Sequence, residues 1–228
     1  MNELGFYPVT DFSSIAGSMF FDLENNEYSD RMLNYAGIGE ENLPELSEAG
    51  RILGRLPQEV KEDFGFPAGA TVKVVLGAAD QICNTVGTAT VTPGDTVCST
   101  GTVEATTTIL PKDLTYDQLY RGELPITPTA IKNLYAAMTL LWSGGGALRW
   151  FRDTLGKYEK GLAKKEGRDV YELLIKSRKG SFSKVFFLPH FAGSGPPSWD
   201  STSKGAFLGL SLATSKKDMV QALLEGIT

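Results

Sequence analysis

Thr71-Val72-Lys73-Val74-Val75-Leu76-Gly77-Ala78-Ala79-Asp80-Gln81-Ile82-Cys83-Asn84-Thr85-Val86 is the stretch on which the fold turns. Its first six residues are rich in β-branched side chains and have the length of a strand. Three residues with almost no side chain follow, and then Ile82, Cys83, Val86 and Ala89 recur at helical spacing. Strand, tight turn and helix in that order predict an α/β unit, with Asp80 as the helix N-cap and the helix ending near Thr90. Ligands of α/β folds collect where strands end and helices begin, and Asp80 stands at such a junction. Small neighbours let a substrate approach the backbone there. A helix N-terminus favours an ionised carboxylate, which can accept a proton from a substrate hydroxyl. Asp is also a preferred cap, so position alone leaves a purely structural role open.

Downstream, Pro93-Gly94-Asp95 reads as a turn. Thr96–Ser99 and Val103–Leu110 are β-rich runs joined by Thr100-Gly101-Thr102, a hairpin with a glycine between hydroxyls at its tip. Such a tip can turn N–H groups toward a phosphate, or be an ordinary turn. Residues 111–129 are loop-rich and hold three prolines, and a further strand lies within Ala130–Thr139. Gly144-Gly145-Gly146 then opens a helix whose apolar stripe is Ala147, Leu148, Phe151 and Leu155. Glycines at a helix start expose unpaired N–H groups to an anion. No GK[ST] follows and the GxGxxG spacing is absent, so neither common nucleotide loop is present. A charged helix around Asp169–Lys179 and a strand at Val185–Leu188 come next. The last helix opens on a capping box, Ser215 to Asp218, buries Met219, Val220, Leu223, Leu224 and Ile227, and is expected to run to Thr228. Upstream of the deciding stretch, the first third reads as helices with loops. Ser29–Ala36 and Pro57–Phe64 carry helix-start chemistry, and Arg51–Leu56 is a short strand.

The chain has 228 residues, 42% hydrophobic and 21% charged, which is globular composition. Its 22 Lys and Arg against 27 Asp and Glu give a net charge of −5, which supplies no basic stripe for nucleic acid or an anionic membrane. No apolar run approaches the roughly 20 residues that span a bilayer. Met1–Thr10 has neither the basic start nor the apolar core of a signal peptide. Two cysteines and one histidine make a disulfide framework or a Cys/His metal site a poor expectation, and no protein metal site is assigned. Cys83 and Cys98 read as small core residues, His190 as a structural hydrogen-bonder, and Lys157–Arg168 as a solvated face. Gly193-Ser194-Gly195-Pro196-Pro197 has the chemistry of a rigid loop edge. The expected class is a soluble cytoplasmic α/β protein.

In order along the chain, these pieces are more specific than any one of them. Leu76-Gly77-Ala78-Ala79-Asp80-Gln81, then Val91-Thr92-Pro93-Gly94-Asp95, then Cys98-Ser99-Thr100-Gly101-Thr102 resembles the central segment of the FGGY carbohydrate kinases. That family usually reads GGGDQ, PGD and SxGTS. Phe187-Leu188-Pro189, Trp199-Asp200, Gly205-Ala206-Phe207-Leu208-Gly209-Leu210, Asp218-Met219 and Ala222-Leu223-Leu224-Glu225 resemble its second signature. Thr10-Asp11-Phe12-Ser13 and Met19-Phe20-Phe21-Asp22 resemble a stretch the family carries before its catalytic aspartate. Two departures stand out. Gly77-Ala78-Ala79 replaces a glycine triplet, and Gly193-Ser194-Gly195-Pro196 stands where many members have GERxP.

The resemblance implies an α/β, actin-like ATPase fold of ribonuclease-H-like domains, with parts of two present: 1–95 from the first and 96–228 from the second. It implies ATP and Mg²⁺, and a small sugar or sugar acid as acceptor. Asp80 matches the aspartate that takes the proton from the attacking hydroxyl. Asp80 and Gln81 would touch the sugar. Gly101 and Thr102 match a phosphate loop, and Gly144, Gly145 and Gly146 a glycine-rich turn near the nucleotide phosphates. The family's opening DxGT loop and closing adenosine segment have no match, so a central fragment without turnover of its own is expected. A homodimer of the full-length protein is a further expectation. Two alternatives compete: an actin-like ATPase whose hydrolysis no sugar stimulates, and a non-catalytic module that binds sugar or a partner.

Overall fold

The computed structural model describes residues 5–113, 124–176 and 182–228, which form two compact units. The first holds the chain up to Val97, residues 107–113 and Pro125–Ala137. The second holds Cys98–Thr106 and Met138–Thr228.

The first unit opens with β1 (Val9–Asp11), α1 (Phe12–Ile15), β2 (Phe21–Asp22), β3 (Glu27–Tyr28), α2 (Asp30–Ala36) and β4 (Glu45–Ser47). Strands β1 and β4 pair in parallel, Val9 beside Glu45, which requires the crossover that α2 lies in. After β5 (Ile52–Arg55), α3 (Gln58–Asp63) leads to β6 (Lys73–Val75), which returns antiparallel to β5 and feeds α4 (Asp80–Gly87). Strands β5 and β6 lie within the strands expected at Arg51–Leu56 and Thr71–Leu76, but the rest of the first third is not helices and loops alone, because β1 to β4 thread it as well. Runs of two or three residues are too short to show the alternation by which a strand is recognised in sequence. Helices α2 and α3 do lie where capping chemistry puts them. Ser29 is the N-cap of α2, and Gly37, at φ 69°, closes it in the left-handed conformation.

Helix α4 stops at Gly87, short of Thr90. Its buried face is Ile82 and Thr85, three residues apart, while Val86 and Cys83 face outward. Cys98 is exposed too, so neither cysteine is a core residue: one lies off the buried helix face, the other on the outward side of its strand. Ile82 packs with Ile109 and Ala136, and Ala78, Ala79, Ala130 and Leu134 close around them.

A four-stranded sheet follows in the order β7 (Thr96–Thr100), β8 (Glu104–Pro111), β10 (Leu134–Leu141), β9 (Ile126–Pro128). Strand β8 turns Ala105, Thr107 and Ile109 inward at the period of two that a strand imposes. The stretch expected to be loop-rich contains β9, an edge strand whose Pro128 sits opposite Tyr135, where a missing N–H is tolerated. Residues 114–123 of that stretch lie outside the described residues.

The second unit is built from α5 (Gly144–Thr154), α6 (Lys157–Glu166), α7 (Val170–Ile175), β11 (Phe186–Leu188), β12 (Ala206–Leu208) and α8 (Lys216–Gly226). Its core joins Ala147 and Phe151 of α5, Leu174 of α7, Val185, Phe187 of β11, and Val220, Ala222 and Leu223 of α8. Leu155 ends α5 as its C-cap and is exposed rather than part of the stripe. Helix α7 occupies the first part of the helix expected at 169–179, and 177–181 lie outside the described residues. The Ser215–Asp218 capping box is formed, but α8 ends at Gly226 with Ile227 as its C-cap.

Candidate active site

Backbone pairing of β5 with β6 runs on to the turn: Leu76 N–H donates to Arg51 O (2.9 Å) and Gly50 N–H to Leu76 O (2.8 Å). The turn Gly77–Ala79 then delivers the chain into α4. Ala79, not Asp80, is the N-cap, and it has no side chain with which to cap. Asp80 is the first helical residue. Its exposed carboxylate accepts the Gln81 N–H through Oδ1 at 2.7 Å. A Cβ on Gly77 would meet nothing within 4 Å, so the approach along the turn is open. Beside it, Gln81 Oε1 is buried and accepts no hydrogen bond from the described residues, a costly state for an amide oxygen.

In the second unit, the β7–β8 hairpin forms as expected, with its tip at residues 101–103. The glycine-rich start of α5 presses directly on this tip. Gly145 N–H donates to Gly101 O at 2.8 Å, and Gly146 N–H donates to Thr102 O at 3.1 Å. A Cβ on Gly145 would lie 2.5 Å from the Gly101 carbonyl oxygen, and one on Gly144 would lie 2.9 Å from Glu104 Cβ. These glycines are needed for close approach of backbone to backbone. Two of the N–H groups expected to face an anion are therefore committed to the hairpin. The consequence falls on the tip. In a planar trans peptide the C=O and N–H point in opposite directions. With the Gly101 and Thr102 carbonyls held against α5, the N–H groups of Thr102 and Val103 are directed away from it. Consecutive N–H groups turned to one side make an anion-binding concavity.

Arg149, on α5, reaches the same tip. Its Nη2 donates to Thr102 Oγ1 at 3.4 Å, and it makes no ion pair among the described residues. Sequence reasoning missed this residue; its place just over one turn after Gly144 is the only signal that pointed to it. At the base of the tip, Cys98 Sγ donates to Glu104 Oε1 at 3.1 Å, and this hydrogen bond to a carboxylate, with some burial, pushes the thiol up from its ordinary value. Ser143, just before the glycines, donates its hydroxyl to Pro189 O. His190 is hydrogen-bonded through Nδ1 to Ser203 Oγ at 2.7 Å, the structural use expected of it. No group of three or more His, Cys, Asp or Glu among the described residues could hold a metal ion. No helix among them is long and apolar enough to cross a membrane.

Residues 4–87 match the N-terminal domain of the FGGY family of carbohydrate kinases, and residues 96–228 match its C-terminal domain. The xylulose kinase of Lactococcus lactis subsp. lactis is 27% identical over 96% of this chain and 41% of its own length. The gluconokinase of Bacillus subtilis is also 27% identical, over 96% of this chain and 42% of its own. The chain thus spans about two fifths of the length of the curated relatives it matches. Among solved structures, a xylulose kinase from Brucella ovis superposes with a TM-score of 0.78 at 24% identity, over 99% of this chain and 44% of that one. The Plasmodium falciparum glycerol kinase with ADP gives 0.75 at 20% identity, over 96% and 41%. These neighbours carry the actin-like ATPase fold, and the chain shares it. On the match of both domains across nearly its whole length, the chain belongs to the FGGY family of carbohydrate kinases.

Proposed function

We propose that this chain serves the ATP-dependent phosphorylation of a hydroxyl on a small sugar or sugar acid. In this reading the substrate hydroxyl gives its proton to the Asp80 carboxylate as its oxygen attacks the γ-phosphorus, and ADP leaves. Gln81, the next residue on α4, is the second side chain assigned to the acceptor. At the Gly101-Thr102 tip the N–H groups of Thr102 and Val103 face the phosphates, with Arg149 as the nearby cation. Gly144, Gly145 and Gly146 serve that surface by holding the tip in place. The observation that carries the reading is the pair of carbonyls tied back to α5, because it turns the tip's donors outward. Mg²⁺ would neutralise the nucleotide's phosphates. The described residues supply no carboxylate cage for it, so no step is assigned to it on this chain. The division into 1–95 and 96–228 follows the same reading, as does a cytoplasmic location, where ATP is held.

The test is Asp80→Asn in the protein that carries this chain, with D-xylulose, D-gluconate and glycerol as acceptors. ATP binding should stay within about twofold, while sugar-dependent ADP release falls by the two to four orders of magnitude typical of a lost general base. Turnover retained by the variant would remove Asp80 from the reaction. ATP hydrolysis that none of the acceptors stimulates would favour the ATPase alternative.

A further inference from the structure

Asp11 is 4% exposed, and the Asp80 chemistry makes no direct use of it. Its carboxylate accepts the N–H of Ser13 at 2.8 Å and of Ser14 at 3.2 Å, and also the Ser13 hydroxyl. That hydroxyl, having given its proton to Asp11, can offer only lone pairs elsewhere, and it accepts the Ala79 N–H at 2.9 Å. Sixty-six residues separate Ser13 from Ala79 in the chain. Ala79 is the N-cap of α4 and has no capping side chain. The first turn of the helix hangs on its carbonyl, which accepts from Ile82 N–H and Cys83 N–H, both at 2.9 Å. Ala79 is thus gripped on both sides, by the Ser13 hydroxyl at its N–H and by the helix at its C=O.

We propose that Ser13, oriented by the buried Asp11 carboxylate, is a positioning residue for Asp80: it clamps the Ala79 amide and so fixes the start of the helix on which Asp80 is the first residue. The chemistry explains the residue types. A hydroxyl is needed because it both donates and accepts, and a buried carboxylate sets which of the two it does toward Ala79. Without the hydroxyl, the Ala79 N–H keeps no partner among the described groups, and the start of α4 loses its tie to α1. The proposal borrows from the kinase reading only the importance of Asp80. The clamp itself is testable without turnover.

The experiment is amide hydrogen exchange read by mass spectrometry, with fragmentation to single amides, at low micromolar concentration on the protein that carries this chain, comparing wild type with Ser13→Ala and Ser13→Thr. In Ser13→Ala, protection at Ala79, Ile82 and Cys83 should fall at least tenfold, with protection in α8 unchanged. Ser13→Thr, which keeps the hydroxyl, should restore it. A uniform fall across both units, or unchanged protection at these three amides, would overturn the clamp. So would failure of Ser13→Thr to differ from Ser13→Ala. Should Ser13→Ala not fold, Asp11→Asn gives the second reading. It keeps an acceptor for the α1 amides but no longer requires the Ser13 hydroxyl proton, and should loosen Ala79 selectively; full protection there would overturn the proposal. In the kinase assay, run on the protein that carries this chain and not on the 228 residues alone, Ser13→Ala should lower kcat at least tenfold with KM for the acceptor within about twofold, and Ser13→Thr should recover kcat. An inactive wild type would overturn the kinase reading, while exchange at Ala79 would still decide the clamp.

Discussion

Single residues at the hairpin base illustrate how local chemistry sets reactivity. Glu104 holds the Cys98 thiol as a hydrogen-bond donor, which stabilises S–H over S⁻ and keeps the thiol above its ordinary value. Glu104→Gln removes the carboxylate, so the Cys98 pKa should fall and its alkylation by iodoacetamide at pH 7.5 should quicken, by roughly tenfold for each unit recovered. Exposed Cys83, hydrogen-bonded to the Ala78 carbonyl, serves as the internal control in a mass-spectrometric time course. An unchanged Cys98 rate would mean that Glu104 does not control it. Gly145 makes a different point. Its forbidden Cβ would strike a backbone oxygen, which cannot swing aside as a side-chain tip can. Gly145→Ala should therefore cost about 1–3 kcal/mol in a urea melt and weaken nucleotide binding as the tip is pushed off α5. The glycines were legible in the sequence as special, and their position at a helix start was read correctly. Their partners were not, because a contact across more than forty residues leaves no local pattern.

At the level of elements, what the sequence disclosed follows the strength of the local signal. Helix α8 was legible at its start because the Ser215–Asp218 box is a short-range code and its apolar residues keep helical spacing. Ser215→Ala removes an acceptor for the Asp218 N–H and should lower stability by about 1 kcal/mol, measured as a shift in the denaturant midpoint at constant slope. A shift below a few tenths would show that packing against β11, where a Cβ on Gly226 would lie 2.5 Å from Phe187 O, holds the helix without its cap. Strands β1 to β4 and β9 left no comparable signal. Each is two or three residues long, and β1 is held by a parallel partner thirty-six residues away. The Asp80 junction falls between these cases. Strand, turn and helix were all legible, yet the cap was assigned one residue late. The grip on Ala79 comes from Ser13, a side chain far from the α4 start in the chain, and not from a residue within the junction.

For the molecule as a whole, exposed apolar surface decides how the chain behaves in water. In the first unit Ile52 and Val75 are cross-strand partners on β5 and β6, yet 56% and 51% exposed. In the second unit Phe186 faces Leu208 across β11 and β12, at 72% and 57% exposure, with Leu210 and Leu212 also open nearby. Paired apolar side chains on a two-stranded sheet are stabilising when something covers them and sticky when nothing does. The relatives it matches are more than twice this length, so in them there is further chain that can cover such faces. By itself the chain should therefore associate as concentration rises, reading as a monomer in sedimentation only at low micromolar concentration, and should show no sugar-stimulated ADP release. Replacing Phe186 with Ser and Leu208 with Thr should lower the association constant by about tenfold or more, since burial of each such side chain is worth about 1.5–3 kcal/mol. The exchange protection of the second unit's core around Phe151 and Leu223 should survive, because neither replaced side chain lies in it. A chain that stays monomeric at high concentration with wild-type Phe186 and Leu208 would show that these faces are tolerated by water.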